Sequence, residues 1–218
     1  MELEAELQRQ LRSLGIDIDS TTARQLLWLQ KELLHWNRTH NLTAITDPNE
    51  ALEKHLVDSL TLLKCLPESG RMLDLGSGGG FPCLPVKIVR PHLDIVSVDA
   101  VAKKIAFQRH VARRLGFEGF SAWHGRGERL AEEQGWGGAF DLVVARAFTS
   151  LTGFIEMALP YLKADGRMIA MKGPEGEREL QEAQAWLGER RIVCHRQIAI
   201  ALPVSGAGRL LLELQSEY

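Results

Sequence analysis

The chain has 218 residues, 45% of them hydrophobic, and a formal charge of −2, which suits one globular domain, or one domain with a helical extension, able to bury a core without staples. No apolar run approaches the roughly 18 residues a membrane helix needs, and the acidic opening MELEAELQRQ lacks the apolar stretch of a signal peptide. Three widely spaced cysteines (Cys65, Cys83, Cys194) without a C-x-x-C, and histidines without ligand spacing, argue against a disulfide framework and a zinc site; a cytoplasmic protein with no metal and no membrane partner is expected.

The first third reads as helical. Ser20 is placed to cap a helix in which Leu26, Leu29, Leu33 and Trp36 recur at helical spacing. WNRTHNLTAITDPNE then reads as a loop ending in Asp47-Pro48, and a second amphipathic helix follows with Leu52, Leu56 and Leu63 on one side. His55 and Asp58 fall one turn apart on that helix. From Arg71 the rhythm changes. RMLDL is a short strand, LPVKIVR a helix, LDIVSVDA a second strand, and AKKIAFQRHVARRLG a helix stopped by Gly116. GFSAWHG and AFDLVVARA are strands three and four, a helix runs from Ser150 to about Leu159, and GRMIAMKG is the fifth strand. A helix over EGERELQEAQAWLGER and a closing hairpin of RIVCHRQIAI with RLLLELQ complete the chain. Strands alternating with helices predict an α/β fold, a mostly parallel sheet with right-handed crossovers and an antiparallel C-terminal hairpin at its edge. Residues 1–66 form a helical N-terminal extension and 67–218 the ligand-binding domain.

The ligand of such a sheet sits where the first strand turns into its helix, and here that place reads DLGSGGGFP, residues 74 to 82. A triphosphate loop needs Lys-Ser or Lys-Thr after the glycines, and none follows. The dinucleotide fingerprint G-x-G-x-x-G is filled by Gly76, Gly78 and then Phe81, a bulky ring where close helix packing wants glycine. Asp74, two residues before the first glycine, would repel a pyrophosphate. S-adenosylmethionine carries an ammonium and a sulfonium instead, so a carboxylate beside the turn favours it while the glycines let backbone approach closely. Asp99 ends the second strand, where a carboxylate accepts from both ribose hydroxyls; nicotinamide-binding sheets do the same, so Asp99 alone does not discriminate. Taken together, Asp74, Phe81 and Asp99 favour the methyl donor.

The acceptor is read from what is missing. The fourth strand ends Ala145-Arg146-Ala147-Phe148, without the proline pair that holds an exocyclic amine. It offers no cysteine for pyrimidine C5 chemistry either, and Cys83 follows strand one, the wrong place. An acceptor that is already a nucleophile remains, such as guanine N7, for which catalysis reduces to alignment and no base is required.

The segments NLTAITDPNEALEKHLVDSL, MLDLGSGGGFPCLPVKIVRP, VDAVAKKIAFQRHVARRLG, GRGERL, FDLVVARAFTSL and MIAMKG, in order over residues 37–173, together resemble the ribosomal RNA small subunit methyltransferase G family, also called glucose-inhibited division protein B. The resemblance implies a class I S-adenosylmethionine-dependent methyltransferase that modifies N7 of one guanine in the decoding-region hairpin of 16S rRNA. It further implies donor contacts at Gly76, Phe81, Gly127, Glu128 and Arg146, the last facing either the donor carboxylate or an RNA phosphate. His55 gains a role in closing the donor site, though not as a base. Gly79-Gly80 departs from the proline common there in the family, which loosens the turn without removing the site.

Between Val101 and Arg129 the chain carries seven Lys/Arg against two acids, one basic face. On charge alone that is a solvated helix surface. With the resemblance, Lys103, Lys104, Arg109, Arg113, Arg114 and Arg126, with Lys172 at the end of strand five, become the expected contacts to 16S rRNA or the small subunit, made by a monomer. The competing readings are a class I methyltransferase for a small molecule or protein, a non-catalytic nucleotide-binding regulator and, third, an oxidoreductase.

Overall fold

A computed structural model of the chain describes residues 2–146 and 150–217, without the side chains of residues 128, 129 and 133. Two helices open it, α1 (Glu2–Ser13) and α2 (Ser20–His40). The cap of α2 is Asp19 rather than Ser20: its carboxylate accepts from Thr22 N at 2.7 Å, satisfying a donor the first turn leaves open. The helix also continues past Trp36 to His40, because Asn41 takes the left-handed conformation (φ 48°) and Asn37 Oδ1 accepts from Leu42 N and Thr43 N at 2.6 and 2.9 Å.

The next segment is one composite rod. It comprises α3 (Pro48–Ala51), a π turn over Leu52–Val57, α4 (Asp58–Leu60) and a 3₁₀ turn over Thr61–Lys64. The sequence suggests one amphipathic face, yet Glu53, His55, Asp58 and Ser59 are buried along with the leucines. The reason is that the rod is covered on several sides, and Glu53 accepts backbone N–H bonds from Val204 and Ser205 at 2.6 and 3.0 Å.

The sheet is built from β1 (Gly70–Leu75), β2 (Leu93–Asp99), β3 (Phe120–His124), β4 (Phe140–Arg146), β5 (Leu162–Lys172), β6 (Ile192–Ala201) and β7 (Gly208–Ser216), in the spatial order β3-β2-β1-β4-β5-β7-β6. β1 to β5 are parallel and β7 is antiparallel to both its neighbours. The crossovers carry α5 (Cys83–Val89), α6 (Ala102–Leu115), α7 (Gly127–Glu133), α8 (Leu151–Ala158) and α9 (Gly176–Glu189).

Alternation along each strand divides the core. Met72, Ile95, Leu142, Val144 and Ile169 join Leu26, Leu29 and Leu33 of α2 in one apolar cluster, while Leu73, Val96, Val143 and Met168 join Phe154 and Leu180 on the opposite face. Each leucine buried this way contributes about 2 kcal/mol. The N-terminal helices therefore share a core with the sheet across residue 66. Strand order reverses between β1 and β4, which opens a crevice at their carboxyl ends.

Candidate active site

The glycine turn leaves β1 in an unusual backbone path: Gly76, Gly78 and Gly80 have φ of 68°, 58° and 91°, a region that costs other residues a clash with their own Cβ. Gly80 needs its missing side chain for a second reason, since a Cβ there would lie 2.4 Å from Leu84 Cδ1. At Gly78 the nearest atom to a Cβ would be Lys104 Nζ at 4.0 Å, so that side of the turn is open. Asp99 ties the turn to β2, its Oδ2 accepting from Gly78 N and its Oδ1 from Val101 N, both at 2.8 Å. Each oxygen keeps lone-pair capacity for a further donor.

Beneath the turn sits a polar clamp that sequence reasoning missed. Gln108 on α6 is fully buried; its amide nitrogen donates to Ser77 Oγ at 2.9 Å and to Gly78 O at 2.8 Å. Its Oε1 lies 2.5 Å from Ser97 Oγ, which is 2.7 Å from Ser77 Oγ. The available signal was an amide beside Phe107, on the stripe of α6 that faces the sheet.

Asp74, expected beside the donor's ammonium, is wholly buried. Its Oδ2 accepts from Cys83 N at 3.2 Å and its Oδ1 has no partner among the described residues. Burial pushes this carboxyl up to about 7, against the pull of the Cys83 hydrogen bond and the nearby Arg146. His55 stacks on Phe81 at 4.8 Å, with Nε2 2.9 Å from Thr43 Oγ1. Burial, reinforced by the Arg146 charge, lowers it to about 4, so the imidazole is neutral near pH 7. Arg146, at the end of β4, donates to Lys54 O at 3.0 Å and approaches Asp58 Oδ2 at 3.5 Å, with its guanidinium 5.9 Å from the Phe81 centroid. The structure thus gathers His55, Asp58, Asp74, Phe81 and Arg146 around one point, and adds Arg209, whose Nε donates to Asp58 Oδ1 at 2.9 Å.

Gly127 opens α7 beside the ends of β2 and β3. A Cβ there would stand 2.7 Å from Met157 Sδ, and Tyr161 donates its hydroxyl to Gly127 O. A cavity of about 310 Å³ between α7 and α8 adjoins it, lined by Gly127, Ala131, Met157 and Tyr161 among others. The Glu128 side chain, and Ala147-Phe148 after Arg146, lie outside the described residues.

The model of the rRNA small subunit methyltransferase G family matches residues 22–197. The chain belongs to this family. Relatives named Ribosomal RNA small subunit methyltransferase G agree over nearly the whole length: that of Geobacter sp. (strain M21) is 47% identical over 94% of each chain, and that of Syntrophotalea carbinolica 44% identical over 98% of each. Among solved structures, the tRNA methyltransferase TrmK of B. subtilis aligns with a TM-score of 0.59 at 14% identity, over 76% of this chain and 68% of its own. TrmK of M. capricolum, solved with S-adenosyl-homocysteine, gives 0.58 at 10% identity, over 73% and 67%. These likenesses extend to the fold, that of class I S-adenosylmethionine-dependent methyltransferases, and the family makes the chain a methyltransferase that uses this donor.

The crevice fits such a donor by its own chemistry. Asp99 has acceptor capacity where a ribose would lie, the outer side of Gly78 is open, and Asp74 Oδ1 is an orphaned acceptor under the turn. The cations expected to meet RNA differ in how they are held. Lys103, Lys104, Arg113, Arg114 and Arg126 have no ion-pair or hydrogen-bond partner among the described residues; Arg109 donates its Nε to Ala122 O at 2.8 Å. Lys172, expected near the acceptor, is instead buried, with its ammonium 2.8 Å from Glu179 Oε2, because the end of β5 packs beside α9. Among the described residues no group of three or more His, Cys, Asp or Glu is arranged to hold a metal, and no helix is long and apolar enough to cross a membrane.

Proposed function

We propose that this chain transfers the methyl group of S-adenosylmethionine to N7 of a guanine in the decoding-region hairpin of 16S rRNA, acting as a cytoplasmic monomer on the small subunit or its RNA. The observation that carries the reading is that, among the described residues gathered beside the turn, neither candidate positioning group is poised as a base: His55 is neutral and stacked on Phe81, and Arg146 is held by Lys54 and Asp58, while the Asp74 carboxyl is buried beneath the turn. A lone-pair acceptor suits such a site, since nothing has to remove a proton before attack.

S-adenosylmethionine supplies an electrophilic methyl on a sulfonium, and on transfer the positive charge passes from sulfur to the purine. The protein's work is alignment. Asp99 and the glycine turn hold the nucleoside, Gly127 and Glu128 border the adenine, and Asp74 and Arg146 answer the amino-acid end. Phe81, backed by His55, walls the crevice. Lys103, Lys104, Arg109, Arg113 and Arg126 bind phosphates around an acceptor base exposed in a loop or swung out of its stack.

The test is methyl transfer from labelled donor to small subunits, and to naked rRNA, that lack the modification, mapped by chain cleavage specific to N7-methylguanine. A single cleavage site in the decoding-region hairpin is expected. Absence of transfer to both, with donor binding intact, overturns the acceptor assignment.

A further inference from the structure

The sheet has a second opening that the donor chemistry does not use. Strand β3 ends the sheet on one side, and between it and α6 runs an open groove of about 610 Å³, lined by Arg109, Arg113, Phe117, Phe120, Ser121 and Trp123 with small residues between them. Two guanidinium groups and three aromatic rings line this groove, and no carboxylate among the described residues does.

Its rings are held in place before any ligand arrives. Phe117 and Phe120 meet edge-to-face at 5.8 Å, and Trp123 is braced at 89° by Trp136, with centroids 5.1 Å apart. All three remain partly exposed. Arg109 is pinned by its Nε to the edge-strand carbonyl of Ala122 at 2.8 Å. Arg113 has no partner among the described residues.

The strand that lines the groove also reaches the crevice. Asp99 pairs across the sheet with His124, and Trp123 is the next residue down the strand. From Trp123 to Phe120 the edge runs about 10 Å. On the helix side, α6 carries Lys103 and Lys104 at its start near Asp99, and Arg109 and Arg113 of its later turns line the groove, about 15 Å along the helix from Lys103 to Arg113.

Fixed aromatic faces beside guanidinium groups are what unstacked nucleotides bind, the base on a ring and its phosphates on the cations. An acidic peptide would use the cations and leave the rings idle, and an apolar ligand would do the reverse. We propose that this groove holds an unstacked nucleotide of the rRNA substrate, flanking the methylated guanine, with its base against Trp123 or Phe117 and adjacent phosphates on Arg109 and Arg113. The proposal rests on the RNA reading of the donor site and adds a second RNA contact to it.

The experiment compares the parent with Arg113→Ala, Trp123→Leu and Trp123→Phe, using small subunits that lack the modification and a series of salt concentrations. Arg113→Ala raises the KM for subunits about fivefold or more and flattens the slope of log affinity against log salt by about 0.7 to 0.9. Trp123→Leu weakens subunit binding about fivefold or more, and Trp123→Phe restores most of it, because stacking needs a ring. The KM for the donor moves less than twofold throughout, and thermal melts confirm folding. An unchanged subunit KM and salt slope in Arg113→Ala overturns the proposal, as does equal loss in the leucine and phenylalanine variants. If the parent transfers no methyl to subunits, the proposed function fails by itself. The groove is then judged by direct binding of a single-stranded 16S rRNA fragment, which Arg113→Ala must weaken and which, if unweakened, refutes the groove as well.

Discussion

Arg209 Nε donates to Asp58 Oδ1 at 2.9 Å across 151 residues of sequence. The other oxygen of the same carboxylate faces Arg146 at 3.5 Å. One buried side chain from the N-terminal rod thus holds the start of β7 and the end of β4 together, and Arg146 is the residue of β4 that borders the crevice. Substituting Asp58 by Ala leaves two mostly buried guanidinium groups facing each other without their shared anion. Removing one partner of a buried pair costs about 3 to 5 kcal/mol, and that loss is expected in urea unfolding. Donor affinity falls with it. Arg209→Ala, which leaves Arg146 its anion, costs less on both measures.

The clamp beneath the glycine turn gives a second prediction. Gln108→Leu keeps the volume and removes both N–H donors, leaving Gly78 O and Ser77 Oγ without them. Unsatisfied buried acceptors cost about 1 to 3 kcal/mol. Because the affected atoms belong to the turn itself, calorimetric titration should show donor affinity falling severalfold. Equal donor affinity in parent and variant sinks the positioning role, whatever the melting point does.

The glycines of the turn separate by what their Cβ would meet. Gly78→Ala suffers mainly from its φ of 58°, a cost of about 1 to 2 kcal/mol, since nothing lies closer than 4.0 Å. Gly80→Ala adds a contact of 2.4 Å with Leu84 Cδ1 in the buried core. Denaturant midpoints should therefore rank Gly80→Ala well below Gly78→Ala, and a reversed order would contradict the described turn.

Much of this arrangement was legible in the sequence for physical reasons. Short apolar strands between turns announce a parallel sheet, and DLGSGGGFP with Asp99 marks the crevice because glycine and carboxylate are needed there. What escaped depends on contacts distant in the chain or on weak local signals. No local pattern links Asp58 to Arg209. Lys172 looks like an exposed strand end until α9 places Glu179 beside it. Helix α7 went unseen because it opens on glycine and has no side-chain cap. The π turn was hidden as well, since the leucines on either side of it keep an ordinary helical rhythm.

Two buried groups make opposite contributions to stability as pH changes. His55 is held at about 4 against an ordinary 6.5, so between those values the unfolded chain binds the extra proton. The stability this confers is full above pH 6.5 and is lost as pH falls toward 4, about 3 kcal/mol in all. Asp74 is raised from 3.8 to about 7, so there the folded chain binds the extra proton. Its contribution is full below pH 3.8 and is lost as pH rises to 7, about 4 kcal/mol. The two largely cancel in the parent protein. His55→Phe should expose a stability that declines from pH 4 to 7, and Asp74→Asn one that rises from pH 4 to 6.5. Parallel slopes in both variants would refute the assignment.

The same carboxyl predicts a proton released on donor binding. With its value near 7, Asp74 is about half protonated at neutral pH before donor binds. Its Oδ1, without a partner among the described residues, lies under the turn where the donor's ammonium is expected, and a nearby cation favours the ionised form. Donor binding at pH 7 should therefore release up to about half a proton, read as a dependence of the binding enthalpy on the ionisation enthalpy of the buffer. Asp74→Asn removes the release and weakens the donor, while Asp99→Asn weakens the donor and leaves the release in place. A binding enthalpy independent of buffer in the parent protein would mean that Asp74 keeps its protonation state, and that the ammonium is met by another group.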